Sequence, residues 1–174
     1  AWRLQRGALL GWAVGMLGFG LVMGGLIGQV RDATGTARDW YIRMGGSDQI
    51  LDAYRASVMQ MAGMAAAIYA VQVLLRMRTE EADGPLEPVL ATAVSRARWV
   101  ASYAVTALLG ATALLLLFAG GTGLAAGGVL GNPGAQVGTV IGASLVQLPG
   151  VLVIAAAVIA AVGLLPRLAG AVSW

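Results

Sequence analysis

The sequence predicts an all-α, polytopic helical membrane protein: four complete transmembrane helices, the start of a fifth, and a short cytoplasmic helix between spans two and three. Composition is the first ground, because hydrophobic residues make up 59% of the 174-residue chain and charged residues only 11%, with a mean hydropathy of +0.81. The second is the length of the uncharged runs. The third is the 26 glycines, since small residues let transmembrane helices approach closely.

The spans follow from the runs, given that about 20 residues of helix cross ~30 Å of hydrocarbon. They fall at about 7–30, 56–76, 99–120 and 137–165. A charge at mid-helix costs roughly 2.5–3.5 kcal/mol, and none stands inside these runs away from their ends. The long apolar stretch after Trp99 divides at "GNPG", Gly131 to Gly134, a turn signal between glycines. This leaves the third span with a glycine-rich exit. "QLPG", Gln147 to Gly150, breaks the fourth helix, because proline lacks a donor and clashes one turn earlier. After Pro166 and Arg167 the chain turns apolar again, so a fifth span is expected from Leu168. Residues 1–174 then read as a fragment, part of one transmembrane domain.

All eleven basic residues are arginine. Arg3, Arg6, Arg76, Arg78, Arg96, Arg98 and Arg167 fall on one side, against Arg31, Arg38, Arg43 and Arg55 on the other. The excess of basic residues places the N-terminus and the 77–98 loop in the cytoplasm. Outside, Ser47 or Asp48 can cap the second helix, and Asp52 and Arg55 form an i,i+3 pair on its first turn. Trp2, Trp12, Trp40 and Trp99 stand near span boundaries, where indoles favour the headgroup zone.

Residue types also exclude chemistry. Without lysine there is no G-x-x-x-x-G-K-[ST] phosphate loop, and without histidine or cysteine the usual metal ligands and nucleophile–base pairs are missing. No catalytic residue, metal site or cofactor is therefore assigned to this chain. The arginines are scattered through short loops, which suits membrane topology rather than nucleic-acid binding. Within the spans, Gln60, Met64, Ile68 and Gln72 share one helical face with Tyr69 beside them, and Gln147 stands at the fourth-helix break. Gln60, Tyr69, Gln72 and Gln147 are candidates for a translocation path, and interhelical hydrogen bonding explains the same glutamines equally well. Glycine recurs at Gly7, Gly11 and Gly15 and again at Gly20, Gly24 and Gly28. Each stripe fits either a neighbouring span of the same chain or a second copy.

The charged interruption from Arg76 to Arg98 holds eight charges between apolar runs. Helix two should run past Arg78 and stop at Gly84–Pro85, after which Pro88 opens a short helix with Glu87 at its positive end. Val89, Leu90, Ala93 and Val94 give that helix a small apolar face, and Ser95 caps the next. Such a loop either lies along the headgroups or docks a soluble partner.

The stretch "RTEEADGPLEPVLATAVSRARW", Arg78 to Trp99, resembles the first cytoplasmic loop of type-2 ABC exporter membrane subunits, particularly bacterial antibiotic and multidrug efflux permeases. Glu80, Glu81, Gly84, Glu87, the run Leu90 to Arg96 and Trp99 carry the likeness. The resemblance implies that loop 77–98 is a coupling segment seated in a separate ABC ATP-binding subunit, contacting it through Glu80, Glu81, Gly84, Glu87, Val89, Leu90, Val94 and Arg96. ATP and magnesium would then sit on that partner. A second permease half or a homodimer mate would complete the transporter, which would export hydrophobic or amphiphilic compounds such as antibiotics and drugs. A four-span proton-coupled antiporter needs a membrane-embedded carboxylate, but all eight acids fall in loops. The remaining alternative is a non-transporting membrane scaffold that packs through its glycine stripes.

Overall fold

The computed structural model describes residues 2–31, 39, 43, 50–82 and 96–172. In chain order the helices are α1 (Trp2–Gly25), α2 (Ile27–Arg31), α3 (Ile50–Ala82), α4 (Arg96–Leu130), α5 (Pro133–Leu145) and α6 (Leu148–Val172). Strands are absent among the described residues. Among the described residues four segments are long and apolar enough to cross a membrane: Gly7–Gln29, Asp52–Arg76, Arg98–Leu130 and Pro133–Ala161. The all-helical, four-span class expected from hydropathy is therefore the one formed.

Span three differs most from its expected range of 99–120, because α4 stays helical through the glycine-rich exit to Leu130. Glycine costs up to about 1 kcal/mol in a helix interior, a cost that close helix packing can offset. The exit glycines also have packing roles. A Cβ on Gly121 would lie 2.8 Å from the Leu17 carbonyl oxygen, and one on Gly123 would lie 2.6 Å from the Val137 Cα. The described backbone of α6 runs on through Pro166 to Val172.

The glycine stripes of α1 meet different fates. Gly20 lies against the Phe118 carbonyl and Thr122, Gly24 against Thr122 and Ala125, and Gly28 against Val129. These contacts advance together along both helices, so α1 and α4 run parallel. Phe19 and Phe118 stack across the contact with centroids 5.5 Å apart. The Thr122 hydroxyl is buried there with no hydrogen-bond partner among the described residues. A Cβ added at Gly7, Gly11 or Gly15, by contrast, would meet nothing within 4 Å. One stripe packs within the chain and the other faces open space.

The remaining helices close an up-down-up-down bundle. The Tyr54 hydroxyl of α3 donates to the Met23 carbonyl (2.6 Å), and Trp12 Nε1 donates to Gln72 Oε1 (3.1 Å), which makes α3 antiparallel to α1. At the α4–α5 turn Gly131 has φ +80°, a conformation that suits glycine, and Asn132 Oδ1 accepts the Ala135 N–H with Pro133 opening α5. This is the "GNPG" turn expected from sequence. The break at "QLPG" also forms: α5 ends at Leu145, and the Gln147 N–H turns back to the Ser144 carbonyl (3.1 Å) before α6 starts. Pro149 accounts for it, since its ring would clash with the Leu145 carbonyl in a continuous helix.

Candidate functional site

The loop residues expected to bind a partner fall on both sides of the described boundary. Gly84, Glu87, Val89, Leu90 and Val94 lie outside the described residues. Glu80 and Glu81 belong to the last turns of α3, and Arg96 is the first residue of α4. The frame around the loop is well defined. The apolar window of α3 ends at Arg76, and the helix continues six residues further to Ala82. At 1.5 Å per residue the 33 residues of α3 extend about 50 Å, well beyond ~30 Å of hydrocarbon.

Loop 83–95 thus joins the ends of two long helices that are packed on each other. Tyr69 of α3 is buried directly over Gly110 of α4, where a Cβ would lie 2.7 Å from the tyrosine Cζ. Ala66, Ala70 and Leu74 of α3 and Ala107, Ala111 and Leu114 of α4 belong to the same buried core. Close-packed interiors transmit displacement rather than absorb it.

The four candidate path residues do not gather at one place. Gln60 and Gln72 share an exposed face of α3 with Met64 and Ile68, as the four-residue spacing predicts. Gln147 lies on another side of α3, where its side chain covers Gly63. Tyr69 and Gln72 come together in a cavity of about 240 Å³ between α1 and α3, lined also by Leu9, Trp12, Val73 and Arg76. Trp12 spans this gap, meeting Tyr69 edge-on at 6.1 Å while its N–H reaches Gln72. Sequence reading placed Trp12 in a headgroup belt, because nothing along the chain pairs it with a residue sixty positions away.

A second cavity, about 230 Å³, is apolar and lies between α3, α4 and α6, lined by Ala70, Leu108, Val151, Leu152, Ala155 and Ile159. Drug-sized pockets measure about 300–1,000 Å³, so neither cavity alone encloses such a molecule. At the opposite end of the bundle Arg55 donates from Nη2 to Gln136 Oε1 (3.0 Å) and lies 3.9 Å from Asp52, the expected i,i+3 pair. Ser144 Oγ, fully buried, contacts Met59 Sδ at 3.3 Å and ties α5 to α3. Among the described residues no three acidic, histidine or cysteine side chains are grouped to hold a metal.

The described helices form a multi-pass bundle with four segments long and apolar enough to cross a membrane, the arrangement of a polytopic membrane domain. All 174 residues match the family model described as multidrug efflux system permease Rv1217c, C-terminal domain, and the chain belongs to that family. It is 41% identical over 170 residues to the multidrug efflux system permease protein Rv1217c of Mycobacterium tuberculosis, an alignment covering 96% of this chain. The chain spans 31% of the length of that relative. Family and loop resemblance agree on the membrane permease class of multidrug efflux exporters.

Proposed function

We propose that this chain is part of the permease of an ATP-driven exporter that moves hydrophobic or amphiphilic compounds out of a bacterial cell. The observation that carries the reading is the family match over the whole chain, joined to a four-span bundle in which α3 runs six residues past its apolar window toward residues 83–95. The chain's residues supply no phosphate-cradling lysine loop. ATP and magnesium therefore belong on a separate ATP-binding subunit, seated on the loop through Glu87, Val89, Leu90 and Val94, with Glu80, Glu81, Gly84 and Arg96 at its margins. Closure of that subunit on ATP would drive α3 and α4 together. The apolar cavity between α3, α4 and α6 matches the substrate class in polarity and falls short in volume, which supports a path completed by a second permease half or a homodimer mate. Gln60, Tyr69, Gln72 and Gln147 are the polar groups this chain would contribute.

Docking requires the loop to face the cytoplasm, where ATP is. The arginine asymmetry supports that orientation. In intact cells a cysteine replacing Thr79, near the end of α3, should resist an impermeant thiol reagent, and one replacing Ala135, exposed beside the α4–α5 turn, should react. The reverse labelling pattern would refute the orientation and the docking together.

A further inference from the structure

The cavity between α1 and α3 sets the donors of Tyr69 and Gln72 and the Arg76 cation among the aliphatic side chains of Ala8, Leu9 and Val73, with no carboxylate among the described residues that line it. An indole N–H can only donate, so the Gln72 oxygen must face Trp12, leaving the two amide hydrogens of Gln72 for another acceptor. Arg76, half-buried at the rim, is joined to no described residue by an ion pair. Beyond Trp12 the gap continues as a shallow apolar furrow of about 500 Å³, floored by Gly11, Gly15, Met16 and Ala65. Trp12 and Ala8 line both parts, so cavity and furrow adjoin on either side of them. The furrow exists because the first glycine stripe of α1 has no partner among the described residues while the second holds α1 against α4. Elsewhere on the same two helices Leu10, Val14, Met61 and Met64 are exposed, as on a surface that meets acyl chains.

The geometry points to a binding site for one anionic phospholipid, with its phosphate on Arg76 and Gln72 and an acyl chain in the furrow past Trp12. Charge complementarity selects this occupant over a neighbouring apolar helix, because a helix would leave the arginine and the amide donors unanswered. Basic pockets between transmembrane helices at the cytoplasmic side are suited to anionic headgroups, and the proposed orientation puts Arg76 in that leaflet. The leaflet assignment rests on that reading. Binding itself does not, so a detergent-based test separates failure of the site from failure of the orientation.

The test is native mass spectrometry of the full-length protein incubated with equal amounts of phosphatidylglycerol and phosphatidylcholine. Phosphatidylglycerol should be retained in preference. Arg76→Gln should cut that preference about five-fold. Gly11→Leu, at a position where an added Cβ meets nothing within 4 Å, should leave the protein folded and reduce retained phosphatidylglycerol to the level of phosphatidylcholine. Equal retention of the two lipids by the parent, or a preference unchanged in both variants, would overturn the site. Loss with Arg76→Gln alone would overturn the furrow as the seat of the chain. A change of oligomeric mass in Gly11→Leu with lipid retention unchanged would overturn the proposal in favour of a helix in the furrow.

Discussion

Gly24→Leu should lower the stability of the folded bundle by about 3 kcal/mol, roughly a hundred-fold in the ratio of folded to unfolded protein. A side chain at Gly24 meets the Thr122 backbone and the Ala125 Cβ, the latter at 2.9 Å. The obstruction is backbone on a parallel helix, so no rotamer change relieves it, and α1 must withdraw from α4. Withdrawal would also break the Phe19–Phe118 contact and uncover Phe118, one of the largest fully buried side chains. Gly15→Leu supplies the control. It belongs to the open stripe of the same helix and should stay within about 0.5 kcal/mol of the parent. Midpoints of denaturation in mixed micelles compare the two variants. Equal midpoints would mean that the α1–α4 contact does not hold the domain together.

Leu90→Asp should weaken assembly with the ATP-binding subunit by more than ten-fold and abolish coupled transport in proportion. Leu90 is the largest apolar side chain on the short helix predicted from Pro88. Burial of a leucine in a partner groove contributes roughly 1.5–3 kcal/mol, which is ten-fold to more than a hundred-fold in affinity. An aspartate in the same groove adds a desolvation cost. Glu87→Ala removes a charge at the helix N-terminus, an effect of about 0.3–1 kcal/mol, and should impair transport more mildly. Both variants should insert normally, because the four spans are untouched. Pull-down of the partner and transport by each variant check the ordering. Parental behaviour of Leu90→Asp would reduce the segment to a solvated connector.

The parts of this fold that were legible in the sequence are those set by local chemistry. Uncharged runs locate spans because hydrocarbon penalises any charge, and Asn132–Pro133 after Gly131 marks a turn because cap, proline and positive φ coincide there. Pro149 breaks a helix, and Asp52 and Arg55 pair, by rules that act within one turn. What needed the structure was tertiary. Gly120 to Gly128 give no helix signal in sequence, yet they continue α4, where Gly121 receives Leu17 and Gly127 receives Pro133. The two stripes of α1 look alike in sequence, and only the position of α4 separates the packed one from the open one. The candidate path residues were grouped by spacing along α3, but Tyr69 turns onto Gly110 and Gln147 onto Gly63, pairings that depend on which helices are neighbours. The Trp12–Gln72–Arg76 cavity combines two helices that touch little elsewhere, so no single stretch of sequence displays it.

ATP-dependent accumulation of a fluorescent amphiphilic cation in inverted membrane vesicles tests the central claim most directly. The vesicles would contain the full-length permease with or without its ATP-binding subunit. The exporter reading predicts accumulation only when permease, ATP-binding subunit and ATP are all present, and none when the permease carries Leu90→Asp. Accumulation independent of ATP or of the second subunit, or none with every component present and assembled, would contradict it and leave a membrane scaffold packed through its glycines.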